Sequence, residues 1–552
     1  VSPICRRVTT VLVFGTWLAM TLSAGAFVKR YGYNMPRLDE WLFVPVLFGH
    51  ERAEDWVVAR HNEHRYPLAR LAYLGLNAAS GQDFRAGMWV TVGLLSTSAA
   101  LLLGAARHVR GRSALIDVFI PVLLLNAGHA ENLTMGYQIV FSFTVAFVAA
   151  FLAVVAWAPA LGPRVTVAAC GAIVLGLALG GGTGWAFVPG LAAFAVTRLP
   201  AVARSSSYPI LTTTLLAVPL ALAIAYVVGS LIEMRTAGTG RTPNDLPTTL
   251  AVAFDFWTVA LGGAGQTGYP LPGAVCVGCL AEGGLVAAAI AWARPGERAR
   301  VAGFAAVVAG GVLLSLAVGV SRPVGNESRY AAFGAIVLCA VILIHTAWGP
   351  GQPRVGPGFL LIPACAAGVA WMDWQVGTQF ARIHEDRTAM LNRDVRLGLP
   401  VNLLAERHVF FPMPGYNRCF ELLYTSGHKS LRSAGPPRSF KVVPIPLPPG
   451  ARLPAWDGHG PAPAFEMSLP SVLTLAALRL EFDCPDMRYF EVYRLELPRN
   501  SDDSAGVTSM WLVPGRRTAV FRVEQTLDRI IIRPLAPTTG LVLVKCEAIL
   551  AD

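Results

Sequence analysis

The chain has 552 residues, of which 54% are hydrophobic and only 14% charged, and its mean hydropathy is +0.52. Those values exclude an ordinary soluble domain and imply that most of the chain is solvated by lipid. The net charge of +11 comes almost wholly from arginine, since only Lys29, Lys429, Lys441 and Lys545 are lysines, and no basic run is interleaved with aromatics, so nucleic acid is not an expected partner.

Arg6 and Arg7 precede an apolar run from Val11 to Val28 without a convincing cleavage site, which reads as an uncleaved first helix whose arginines stay in the cytoplasm. The outer loop 29–85 follows. Within it, Glu40 to Phe48 is too short to span and too apolar for a free loop, which predicts a helix lying in the membrane interface. Pro67 suits the first turn of a second such helix, Pro67 to Ala79, leaving His61 to Arg65 as the turn between them.

Apolar segments recur at 86–106, 114–128, 137–157, 164–181, 184–197, 209–230, 270–292, 301–320, 329–347 and 357–373, each near the length needed to cross a ~30 Å hydrocarbon core. With the first they make about eleven spans. Arg107, Arg110, Arg112, Arg164, Arg198, Arg204, Arg294, Arg298, Arg300 and Arg354 all fall in loops on the side of Arg6, which places the amino terminus inside and the carboxyl terminus outside. Three more outer segments then face the compartment of the first loop: 128–138 with His129 and Glu131, the loop 233–268, and 321–330 with Arg322, Arg329 and Tyr330. Residues 375–470 read as a polar, proline-rich linker containing one short helix near 377–392. From Ser471 onward, short strands at 472–482, 488–497, 508–513, 518–523, 529–534 and 540–549 predict a small extracytoplasmic β-sandwich in which Cys484 and Cys546 could pair.

Two constellations in the first loop carry chemistry. Asp39 and Glu40 stand at the start of the interface helix, where a carboxylate can act as general base toward a hydroxyl; the simpler reading is a charge favoured in a first helical turn. His61, Asn62, Glu63, His64 and Arg65 place two imidazoles, a carboxylate and a guanidinium within five residues. They could hold a divalent metal with His50, His129 or Glu131, bind a phosphate through Arg65 and Arg70, or simply brace the loop. The metal reading lacks a helical His-Glu-x-x-His pattern, and Pro67 breaks any continuous face. Arg322 and Arg329 flank a turn at a span end, where they either anchor in the interface or form a second phosphate clamp. Cys276 and Cys279 open a span, which favours small hydrophobes over a redox pair.

A first helix, an outer loop bearing Asp39-Glu40, about eleven spans and an extracytoplasmic carboxyl-terminal domain together resemble the GT-C class of integral membrane glycosyltransferases. The phrases His61-Asn-Glu-His-Arg65 and Ser328-Arg-Tyr330 are similar to ones in bacterial GT-C-like proteins of undefined substrate, and the terminal sandwich looks like a carbohydrate-binding module. The resemblance implies an inverting enzyme of the bacterial plasma membrane that moves a sugar from a polyprenyl-phosphate donor to an extracytoplasmic glycan or lipid acceptor. Asp39 would then be the base and Glu40 its orienting neighbour, while Arg65 with Arg322 or Arg329 would steady the departing phosphate. The first loop has no Asp-x-Asp, which counts against dependence on a divalent metal. A transporter or flippase of a lipid-linked glycan, and a non-catalytic glycan-binding scaffold, are the competing expectations.

Overall fold

The computed structural model describes residues 3–61, 64–236, 243–348, 358–396, 398–408, 415–431, 440–456, 459–484, 490–496, 507–511, 515–534 and 538–551. They divide into two compact units, one of residues 1–34 and 52–382, the other of residues 35–51 and 383–552.

Among the described residues, seven helices of the first unit are long and apolar enough to cross a membrane, fewer than the eleven spans expected. They include α1 (Pro3–Tyr31), α4 (Arg85–Arg110), α5 (Ile139–Leu179), α7 (Pro209–Thr236), α9 (Leu271–Ala293), α10 (Arg298–Ser321) and α11 (Ala331–Ala347). Shorter helices between them are α2 (Ala53–Val58), α3 (Pro67–Ala79), α6 (Val188–Val196) and α8 (Leu246–Thr258). At 1.5 Å per residue, the 26 residues of α4 extend about 39 Å, ample for a bilayer core.

The expected runs 137–157 and 164–181 are the two helical halves of α5, which reverses at the non-helical Gly162 (φ 75°) between Pro159 and Pro163. Its halves lie against each other, because a Cβ at Gly176 would fall 2.6 Å from the Phe147 ring. The run 114–128 is no continuous span: it breaks into short turns and helices from Leu115 to Gln138. There the Asn126 side chain accepts the Gly128 N–H at 2.8 Å and diverts the backbone. The run 184–197 gives only α6, whereas the expected loop 233–268 contains the apolar helix α8, begun by Asp245, whose carboxylate accepts the Thr248 N–H at 2.9 Å. Arg110, expected in a cytoplasmic loop, is buried and bonded to Asp117 at 2.9 Å and Thr346 at 2.6 Å.

Helix α12 (Gly358–Arg396) includes the short helix expected near 377–392 and leads into the second unit. The stretch read as linker continues with α13 (Val401–His408), α14 (Tyr416–Thr425), β1 (Phe440–Ile445) and β2 (Arg452–Trp456). β3 (Phe465–Cys484), β4 (Phe490–Leu495), β5 (Val507–Trp511), β6 (Gly515–Pro534) and β7 (Thr538–Ala551) complete one antiparallel sheet in the order β1-β7-β3-β6-β4-β5, with β2 on β7. The two expected strands 518–523 and 529–534 are one strand, β6. Leu478, Leu480, Phe482, Phe521 and Val523 fill the core on one face, while Ala477, Val520 and Ile549 pack Leu403 of α13 on the other.

Ion pairs fasten that second face. Arg479 forms a bidentate pair with Glu406 at 2.7 Å, and the buried Asp394 receives Arg407 Nε and His408 Nε2 at 2.7 Å and Arg522 Nη1 at 3.1 Å. The expected pairing of Cys484 with Cys546 is not made. Cys546 is a buried free thiol opposite Leu480, four residues along β3 from Cys484, or roughly 13 Å and beyond disulfide reach.

Candidate functional site

The first unit gathers polar side chains from all four of the expected outer segments. After α2, His61 and His64 close a tight turn by exchanging backbone hydrogen bonds, His61 N–H to His64 O at 2.7 Å and the reverse at 3.0 Å. Asn62 and Glu63, between them in sequence, lie outside the described residues. Helix α3 then starts at Pro67, whose missing N–H is harmless in a first turn. The turn is held from below by Arg70, 2% exposed, which donates to the carbonyls of Trp56, Ala59 (2.8 Å) and Arg60 (3.2 Å) while lying 4.0 Å above the Trp56 ring. Arg70 is therefore a brace, not a phosphate grip. Arg65 bonds Glu233 at 2.6 Å and the Val58 carbonyl at 2.7 Å, and Arg60 shares Glu233 at 2.8 Å.

The imidazoles sit in an aromatic setting. His61 packs edge-on to Tyr66 and Tyr137, both at 6.0 Å, and His64 stands perpendicular to Trp185 at 5.5 Å. Two glycines make the room: a Cβ at Gly181 (φ +105°) would lie 2.0 Å from the Tyr66 ring, and one at Gly182 would lie 2.7 Å from His64. The run Gly180-Gly-Gly-Thr-Gly-Trp185 was the sequence signal for this niche, and reading it as the edge of a span passed over it.

Tyr137 joins this niche to a second cluster. Its neighbour Gln138 donates to Glu131 at 3.3 Å; Glu131, 8% exposed, also meets Arg329 Nη1 and Ser328 Oγ, each at 3.4 Å. Arg329 pairs with Glu327 as well and lies 5.6 Å from the Tyr330 ring, while its carbonyl accepts Asn132 Nδ2 at 3.1 Å. Segments 128–138 and 321–330 thus meet. Arg329 is shared by two carboxylates, so an anion reaching it must displace one of them. Arg322 is half-buried, and its carbonyl accepts Asn244 Nδ2 at 2.8 Å. His129 is buried with Nε2 on the Leu123 carbonyl at 2.6 Å; burial pushes its imidazole down to about 4, so it is neutral at physiological pH.

One residue of this cluster was unforeseen. Asp373, at the end of the last expected span, is fully buried, and its carboxylate lies against Gly128 and Gly262: a Cβ at Gly128 or Gly262 would fall 2.7 Å or 2.2 Å from its oxygens. Among the described residues no group of three His, Cys, Asp or Glu is arranged to hold a metal ion.

Asp39 and Glu40 belong to the second unit. The segment forms a 3-10 turn, Leu38–Phe43, and a single helical turn, Val44–Leu47, in place of the expected interface helix. Its apolar residues are explained by packing within that unit: Trp41 and Val44 are buried, the Trp41 ring lies tilted 5.6 Å from that of Phe420 of α14, and Phe48 meets His428. The two acids differ. Glu40 is fully buried and accepts the Arg37 N–H at 2.9 Å, whereas Asp39 is half-buried. Leu38 just before them has φ 45°, a left-handed conformation that costs a non-glycine residue roughly 1–2 kcal/mol. Arg37 and Arg387 form a cationic neighbourhood in the same unit: burial first, then their two charges, push His384 down to about 2 and keep it neutral, and burial with Arg37 lowers Arg387 to about 10.

Comparison with known proteins gives no relative to place beside this geometry: no family model matches the chain, and no curated protein or solved structure matches it.

Proposed function

We propose that the chain is a GT-C-like, inverting membrane glycosyltransferase that transfers a sugar from a polyprenyl-phosphate donor to an extracytoplasmic glycan or lipid acceptor. The observation that carries this reading is the half-buried Asp39, two residues along the chain from Arg37, with the charge of Arg387 felt beside that of Arg37 in the same unit. Transfer needs a base for the acceptor hydroxyl and positive charge for the phosphate that leaves. Asp39 takes the hydroxyl proton, the acceptor oxygen bonds the anomeric carbon from the face opposite the phosphate, and the bond from that carbon to the phosphate oxygen breaks. Arg37 and Arg387 receive the developing phosphate charge, and the buried Glu40 holds the turn that aims Asp39.

The strain at Leu38 fits this role, since unfavourable backbone is retained where geometry matters for chemistry. Arg65 and Arg329, already paired with acids, suit positioning better than leaving-group stabilisation. The candidate spans agree with a lipid-borne donor in a bacterial plasma membrane, and the bulged 20-residue strands β3 and β6 agree with a curved, two-layered carbohydrate-binding sheet outside it. The test is transfer of a radiolabelled sugar from polyprenyl phosphate by full-length protein in nanodiscs. Asp39→Asn is expected to lower the rate about 10²–10⁴-fold with unchanged folding, and full activity in that variant would remove Asp39 from the chemistry.

A further inference from the structure

An ionisable pair stands on the outer surface of two spans, away from the clusters above. Glu282 lies midway along α9, and its Oε2 is 2.7 Å from Nε2 of His345 on α11. Both side chains are about half exposed, 52% and 43%. Along α11 every residue is buried except Ile342, which is half-buried, and His345. Around Glu282 the exposed face of α9 continues through Ala274, Gly278, Ala281, Leu285 and Ala288, and nothing lies within 4 Å of where a Gly278 Cβ would be.

Water would solvate such a pair on a soluble protein, but hydrocarbon cannot. Acids and histidines within spans are rare and face protein or a polar cavity, because each unfilled hydrogen-bonding position is expensive in lipid. This pair leaves positions unfilled on both partners, so the face needs a polar cover. A second copy of the chain supplies one by symmetry. Across a two-fold axis along the membrane normal, left and right exchange, so His345 of each copy stands opposite Glu282 of the other, and four groups complement one another as hydrogen-bonding partners, carboxylate facing imidazole. The row of small residues on α9 lets the two backbones approach closely, as in tightly packed transmembrane helices.

We propose that this face of α9 and α11, centred on Glu282 and His345, is a homodimer interface within the membrane. It is independent of the catalytic reading. Cys279, exposed one turn before Glu282, is a built-in reporter. Full-length protein in native membranes, with Cys5, Cys365 and Cys484 changed to serine, is treated with a short flexible bismaleimide. A dimer-sized product that disappears in Cys279→Ser is expected. Separately, energy transfer between labelled copies diluted into liposomes is expected to show dimerisation weakened about tenfold or more by Glu282→Leu with His345→Leu, and less by Glu282→Gln. A monomer at all dilutions, a dimer that Cys279 does not crosslink, crosslinking of Cys279 only to a different protein, or unchanged dimerisation in the double variant each overturns the proposal.

Discussion

Replacing Gly262 by alanine tests the packing around the buried acid of the first unit. The backbone there has φ +98° and ψ −174°, a region open essentially to glycine alone, at a cost of about 1–3 kcal/mol for another residue. The new Cβ would also lie 2.2 Å and 2.4 Å from the two oxygens of Asp373, which is fully buried and has no room to withdraw. Overpacking of that kind adds about 1–3 kcal/mol. The sum, about 2–6 kcal/mol, corresponds to an apparent melting temperature lowered by on the order of 5–10 °C for a unit this large. The assay is thermal unfolding of full-length protein in a mild detergent. The steric part is separable: in an Asp373→Ala background, Gly262→Ala is expected to cost at least ~1 kcal/mol less than in wild type. Equal costs in both backgrounds, or a Gly262→Ala variant as stable as wild type, would refute the contact between Gly262 and Asp373.

Arg70→Lys is expected to loosen the 53–61 segment, because one ammonium cannot reach three carbonyls and cover Trp56 as the guanidinium does; faster proteolysis there, at a cost of about 2–3 kcal/mol, is the readout. Asp394 gives a pH signature. Burial raises its pKa, but the bond to His408 and the charges of Arg407 and Arg522 overcome this and lower it from 3.8 to about 2. A depressed carboxyl pKa stabilises the fold fully above its unfolded value and loses that contribution as pH falls through the folded one. The sheet unit should therefore lose about 2 kcal/mol between roughly pH 4 and pH 2, read from urea midpoints of the full chain, and Asp394→Asn should abolish that slope. His408, kept neutral mainly by burial, adds a loss in the same direction as pH drops below its ordinary 6.5. Arg329→Met leaves Glu131 and Glu327 without their shared cation and is expected to cost about 3 kcal/mol, or less in a Glu131→Gln background; equal costs in both would deny the coupling.

Hydropathy made the lipid-solvated part of the chain legible, and the helix at Pro67–Ala79 began and ended where its proline and apolar period placed it. Span counting failed where backbone was diverted by a residue that hydropathy ignores: Asn126 broke the run 114–128 into short turns and helices. The sheet was legible from Ser471 onward, but β1 and β2 were not, since proline-rich strands lack a clear alternation and gain their partner only from β7. At the candidate site, the meeting of Glu131 with Arg329, and the niches that glycines at 181, 182 and 262 make for Tyr66, His64 and Asp373, depend on contacts far apart in sequence. The surroundings of Arg37 were hidden for the same reason: His384 and Arg387, which feel its charge, are about 350 residues away by number.

The central claim is that Asp39 works beside a phosphate held by Arg37 and Arg387. An experimental structure of the full chain in nanodiscs with a polyprenyl phosphate tests it most directly. Phosphate density on Arg37 and Arg387, with the Asp39 carboxylate facing the position of the transferred sugar, is the predicted result. Phosphate density in a cavity running through the spans, remote from Asp39, would contradict the claim and make the chain a carrier of the lipid instead of an enzyme acting on it.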